Sequence, residues 1–293
     1  MAEVKFPTDD CPELESYVAR LLDEAGVPNF IWGEAIISIL GVPTQITSSS
    51  WAIPDSLIDT AAKVLDDAKF PPCTQGREHC RVFNSMSTHP YPDYHWHTDH
   101  RYPTEPPTFT TGVFLYRKSR LFWTFPEPPI GRPPPGDRFY MLTSDPRIRR
   151  LNPISRGPQS ADPAVYPVKM PTPARYTEAM LLLTLRDLVG THALMHWEIE
   201  SGYMLGWDDQ KDGDRNLDVD ELDEPFREWA KIMLDAQYGE RIGDVVAYRW
   251  RHRTYVEMKR KNLLPPPEGP LNTFIWRPLE DRLRECDLPV DLA

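Results

Sequence analysis

Nowhere in the 293 residues does an apolar run approach the roughly 20 that a helix needs to cross a bilayer, so no helical membrane span is expected. Residues 1–8 carry no basic stretch followed by an apolar one, so no secretory signal is read and a cytoplasmic protein is the default. Cysteine is sparse: Cys11, Cys73, Cys80 and Cys286 are scattered, with no CxxC pair. That spacing argues against a zinc site built on cysteine. Cys73 and Cys80 could close a short loop, but a chain of this length does not need the staple, and thiols are expected in a reducing compartment. There is no GxGxxG or GxxxxGKS/T phosphate loop, hence no case for a Rossmann cofactor or a P-loop ATPase. Basic residues are also in deficit, 33 against 44 acidic, and a net charge of −11 argues against generic nucleic-acid coating and against DNA as a partner. A local basic patch on an acidic body stays open.

Proline is abundant, with 32 residues clustered at 103–107, 126–135 and 265–270, where it excludes helix interiors and central strands and marks ordered loops or connectors. The remaining composition, 40% hydrophobic and 26% charged, is that of an ordinary globular chain. Leu14, Tyr17, Val18, Leu21 and Leu22 fall at helical spacing and Gly26 supplies a stop, so a first helix is predicted over 13–25. A strand over 27–32, a helix opened by Gly33 over 34–40, a strand over 44–53 and a helix over 56–68 follow. Short strands are predicted at 81–83, 94–98, 110–116 and 119–125, and an extended piece at 165–170. Helices are predicted at 174–189, 192–203, 224–238 and 245–262. This order predicts an α/β (α+β) fold, a mixed sheet followed by a helical C-terminal part, with domains over 1–160 and 161–293.

Val27-Pro28-Asn29-Phe30-Ile31-Trp32-Gly33-Glu34, then Gly41-Val42-Pro43 and Trp51-Ala52-Ile53-Pro54-Asp55, resemble the opening of nucleotidyltransferase-fold proteins. In that fold a strand ends in glycine, a helix follows, and the next strand carries a metal-binding carboxylate pair. Here that strand offers Ser48-Ser49-Ser50-Trp51, and hydroxyls do not hold magnesium ions as carboxylates do. The resemblance, over about 70 residues, therefore implies a retained scaffold with nucleotidyl transfer lost. The phrases Tyr116-Arg117-Lys118-Ser119, Tyr140-Met141-Leu142-Thr143-Ser144-Asp145-Pro146-Arg147 and Pro171-Thr172-Pro173-Ala174-Arg175 resemble a large set of fungal proteins. Within that set the chain is similar to the arginine-containing cyclodipeptide synthases. Their motif, Asp-Asp-x-x-Glu, is matched by Asp9-Asp10-Cys11-Pro12-Glu13. The resemblance implies an aminoacyltransferase of secondary metabolism that joins arginine to a second amino acid. Both would come from aminoacyl-tRNAs, arginyl-tRNA among them, with no cofactor.

On a helical turn Asp9, Asp10 and Glu13 can converge to grip a guanidinium or accept a proton from an amine. The same pattern, an acid, a proline in the first turn and a glutamate, is also an ordinary capped helix start, which is the commoner reading. Asp208-Asp209-Gln210-Lys211-Asp212 nearly repeats the motif, so Asp208, Asp209 and Asp212 form a second candidate set. Neither register completes a calcium loop, and a solvated acidic loop is the plainer reading. His95, His97 and Asp99 alternate on one strand face. They suit a transition metal or acid–base work, with Asp93 as a possible further ligand, although two such histidines are more often half-buried and hydrogen-bonded. Arg249, Trp250, Arg251 and Arg253, then Lys259, Arg260 and Lys261, interleave base with aromatics. That composition suits phosphate contacts and base stacking on tRNA, or equally a cationic helix face answering the acidic segment 208–228. Arg147, Arg149 and Arg150 could extend the patch. Ser48, Ser49 and Ser50 have no assignable base to activate a hydroxyl. The expected functions are tRNA-dependent cyclodipeptide synthesis or, from a different class, a catalytically silent nucleotidyltransferase-like protein that binds a nucleotide or a partner.

Overall fold

Leu14, Val18 and Leu22 lie one helical turn apart, and they form the buried stripe of α1 (Pro12–Glu24). The computed structural model describes residues 12–44, 46, 48–84, 90–100, 112–188, 193–205, 215–235, 240–268, 281 and 284. Its contacts divide the chain into two units. The first comprises Met1–Pro173 with Asp212–Asn216, the second Ala174–Lys211 with Leu217–Ala293. The fold is mixed α and β, as the order of predicted elements implies.

In the first unit α1 packs on α3 (Ile58–Asp67), whose Ile58, Ala61, Ala62 and Leu65 are buried. β1 (Phe30–Trp32) is wholly buried and turns at Gly33, whose φ of 79° is open to glycine without steric cost, into α2 (Glu34–Ile39). β2 (Ser48–Ile53), β3 (Tyr94–His97) and β4 (Gly112–Arg117) complete a four-stranded sheet in the order β1-β2-β4-β3. Only the β2–β4 pair is parallel. The register aligns His97 with Gly112 and Gly112 with Ser48, and likewise His95 with Phe114 and Phe114 with Ser50. Aligned residues point to the same side, so His95, His97, Phe114, Ser48 and Ser50 share one face. The opposite face carries Tyr94 and Trp96, which donate to Asp59 (2.8 Å) and Asp66 (2.9 Å) of α3. A Cβ on Gly112 would lie 2.7 Å from the Trp96 carbonyl oxygen and 2.6 Å from the Phe114 ring, so glycine is required where β3 passes closest.

Two short strands expected from sequence are single helical turns. Residues 81–83 fall in α5 (Arg81–Asn84), directly after α4 (Gly76–His79). Residues 119–125 begin in α6 (Lys118–Leu121), where Asp55 accepts hydrogen bonds from the Ser119 amide (3.0 Å) and hydroxyl (2.5 Å) and holds the turn. Phe122 and Phe125 then drop into a cluster with Phe30 and Tyr140 instead of alternating as a strand would. β5 (Tyr140–Leu142) and β6 (Lys169–Pro171) form a separate antiparallel pair.

Burial raises the pKa of Tyr116 and Tyr140, and burial together with Asp23 pushes Tyr166 up to about 12. Tyr140 donates to the Pro126 carbonyl (2.6 Å), a bond that a phenolate could not make. A folded pKa above the unfolded value of about 10 contributes stability that is complete below pH 10 and lost as pH rises. Tyr116 and Tyr140 are expected to ionise only with unfolding. In an alkaline titration, one part of the phenolate absorbance of the 12 tyrosines should therefore appear only together with the loss of circular dichroism, above pH 10.

The second unit contains α7 (Pro173–Arg186), α8 (Leu194–Leu205), α9 (Phe226–Leu234) and α10 (Glu240–Arg260). α7 opens on proline, which has no amide hydrogen to leave unsatisfied at a helix start. Trp197 donates to buried Asp187 (2.8 Å), which also pairs with Arg186 (2.7 Å). No helix among the described residues is long and apolar enough to cross a membrane.

Candidate functional site

Helical spacing puts Glu13, Tyr17 and Arg20 on one exposed side of α1, opposite its apolar stripe. That side forms one wall of a cavity of about 630 Å³, together with Ser16 and with Gln159, Pro163, Val165 and Tyr166 from the segment that approaches β6. Gln159 is fixed as part of the wall. Its amide donates to the Ser16 hydroxyl (2.7 Å) and the Pro12 carbonyl (3.1 Å), and its oxygen accepts from Thr143 (2.5 Å). Tyr166 is held by its bond to Asp23 (3.0 Å), and Arg20 lies over the Tyr17 ring at 5.6 Å. The cavity therefore offers a carboxylate and a guanidinium about two helical turns apart on one face, between an amide wall and proline-rich apolar walls. Glu15, two residues from Glu13, plays another part: it is buried and receives two hydrogen bonds from Arg156 (2.7 and 2.5 Å).

Of the acidic candidates, Glu13 is the one among the described residues. Asp9, Asp10, Asp208, Asp209 and Asp212 lie outside them. The basic candidates all lie on or just beyond α10. Trp250 does not offer a stacking face: it is 2% exposed, packs on Phe226 and Trp229, and donates to the Pro225 carbonyl (3.1 Å). Arg251 pairs with Glu198 and Arg253 with Glu228, each at 2.5 Å, so that side of the helix answers acids of α8 and the start of α9. Lys259 sits over the Tyr255 ring and Lys261 pairs with Glu257 (2.5 Å). Arg249, Arg253, Lys259, Arg260 and Lys261 remain exposed. Arg147, Arg149 and Arg150 belong to the first unit, where Arg147 pairs with Asp145 and Arg149 bonds to Asn216. On β2, the Ser48 and Ser50 hydroxyls bond to each other (3.2 Å) and Ser49 accepts from Trp51 (2.8 Å), and the strand itself carries hydroxyls where a carboxylate pair would stand.

The histidine strand departs most from its sequence reading. Asp93 is no ligand: its carboxylate is taken by the Arg117 amide and by the Arg117 and Arg120 side chains (2.8, 2.5 and 2.6 Å). The residues that join His95 and His97 are Cys73 and Cys80, and all four donor atoms lie within 4.8 Å of one another. Both cysteines are free thiols. Burial lowers the pKa of both histidines, His95 to about 4, so both rings are neutral at pH 7. Burial and the neighbouring Cys73 raise that of the Cys80 thiol. No spacing rule flags this set, because the cysteines are seven apart and the histidines arrive from a strand that follows two helical turns. No family model, curated protein or solved structure matches the chain.

Proposed function

We propose that this protein is a tRNA-dependent aminoacyltransferase that forms an arginine-containing cyclic dipeptide. The observation that carries the reading is Glu13. The last carboxylate of the Asp9-Asp10-x-x-Glu13 motif faces a cavity large enough for an amino-acid side chain and the end of its ester-linked ribose. In this reading the α-amine held in the cavity attacks the ester carbonyl of a second aminoacyl group. An amide forms, the ester bond breaks, and the departing tRNA hydroxyl takes up the proton that the amine gives up. A second aminolysis closes the ring and frees the other tRNA. The esters arrive activated, so the protein has to supply orientation, a proton acceptor and a carboxylate for the guanidinium. The exposed cations of α10 and of 259–261 supply phosphate contacts; the aromatic Trp250 does not contribute.

Expression in a bacterial host tests the reading, because the host provides every aminoacyl-tRNA. Cyclic arginine dipeptides are expected in the medium by mass spectrometry; soluble protein without them contradicts the assignment. A second reading, a catalytically silent nucleotidyltransferase-like binding protein, is favoured by the hydroxyls of Ser48 and Ser50 on the strand where a metal-binding carboxylate pair would stand. Absence of product together with nucleotide binding by the purified chain would select it.

A further inference from the structure

We infer that Cys73, Cys80, His95 and His97 form a closed tetrahedral zinc site that anchors the 73–84 segment to the edge of the sheet. The site is independent of the activity proposed above. Zinc sits about 2.3 Å from a thiolate and about 2.0–2.1 Å from an imidazole nitrogen, which at a tetrahedral angle separates sulfur from nitrogen by about 3.5 Å. The Cys80 sulfur is 3.4 Å from Nε2 of His95 and 3.4 Å from Nε2 of His97. Two thiolates on one zinc stand about 3.8 Å apart, so four donors within 4.8 Å of one another close onto the ion with shifts of about an ångström at most.

The donor set decides the ion. Two thiolates and two imidazoles are soft and borderline ligands that suit zinc and repel magnesium and calcium, which take oxygen. All four positions are filled by protein, so the site is of the structural kind and leaves no place for a reacting water. Its surroundings match. Both rings turn Nε2 toward the Cys80 sulfur. Nδ1 of His97 makes no hydrogen bond and lies 3.7 Å from the Asp99 carboxylate. That is close enough for a small shift on closing around the ion to give it the outer partner that zinc-bound histidines take up. The backbone at Val82 and Phe83 favours the Cys80 thiolate, lowering the thiol's pKa against its burial. His95 packs edge-on to Phe83 and Phe114. Gly112 lets β3 approach, and Pro72 bridges to Trp96, which carries the Cys73 loop to the strand.

The segment also needs an anchor. α4 and α5 are four residues each, too short to nucleate alone, and of their eight residues Val82 is the buried one. Zinc here would do what core packing does elsewhere in the unit.

The test is elemental analysis of the full chain purified without chelator, followed by cobalt(II) replacement. One zinc per chain is expected. Cobalt should give the strong visible bands of tetrahedral coordination together with a thiolate charge-transfer band. Cys80→Ser should weaken binding at least a hundredfold, and Asp99→Asn, which spares every ligand, about tenfold. Should Cys80→Ser fail to fold, the cobalt spectrum of the wild-type chain and the tenfold shift of Asp99→Asn still decide. Weak octahedral cobalt bands would overturn the proposal. So would zinc that Cys80→Ser leaves in place, or a Cys73–Cys80 disulfide in protein kept under reductant.

Discussion

Asp23→Ala is expected to destabilise the protein by about 3–5 kcal/mol, because it strands a buried ammonium. Lys169 is fully buried, and its Nζ meets both oxygens of Asp23, at 2.8 and 2.9 Å. Burial lowers the lysine's pKa against the pull of that carboxylate. Asp23 also receives hydrogen bonds from the Asn29 side chain (2.8 Å), the Gly131 amide (3.0 Å) and the Tyr166 hydroxyl (3.0 Å). One carboxylate at the end of α1 thus ties together the approach to β1, the proline-rich loop and β6. Replacing both partners, Asp23→Leu with Lys169→Met, is expected to recover only part of the loss. It removes the stranded charge, but leaves three donors of the network without their acceptor. Urea denaturation followed by tryptophan fluorescence measures both. A cost for Asp23→Ala below about 1 kcal/mol would show that the pair contributes little.

Glu13→Gln is expected to lower the yield of cyclic dipeptide by about 10² to 10⁴, the range for removing a positioned proton acceptor. Glutamine keeps the shape and loses the charge, so it can neither take a proton from the amine nor pair with a guanidinium. Glu13 is exposed, and the substitution should leave stability within about 0.5 kcal/mol, which separates a chemical effect from a folding one. Glu15→Gln is the contrasting control. It weakens the buried contact with Arg156 and should act through stability. Unchanged product from folded Glu13→Gln protein would remove Glu13 from the site and leave it the helix-start residue that its sequence context also allows.

What was legible in the chain was what repeats locally. The stripe Leu14, Val18 and Leu22, the glycine corner at Gly33 and the apolar helix α7 could each be read from neighbours a few positions apart. Residues 81–83 and 119–125 misled because a short stretch with a few apolar residues fits a strand or a single helical turn equally well. A distant partner, Asp55, decided the second, while the first is closed locally by the Phe83 and Asn84 amides on the Cys80 carbonyl. The same limit hid the metal-ligand set. His95 and His97 stood out by alternation, but Asp93, the nearer acid, was taken by Arg117 and Arg120. Cys73 and Cys80 reach the histidines only through pairing that spans two helical turns. In α10 the alternation of base and aromatic was visible, yet burial turned Trp250 inward and made it a packing residue.

The most direct measurement supplies purified protein with tRNA charged with labelled arginine and the other aminoacyl-tRNAs, with no ATP. The account predicts that the label leaves the tRNA for a small cyclic product with neither free amine nor free carboxylate on its backbone, at a rate set by protein concentration. Label that stays ester-linked, or is released only as free arginine at the rate seen without protein, would contradict it.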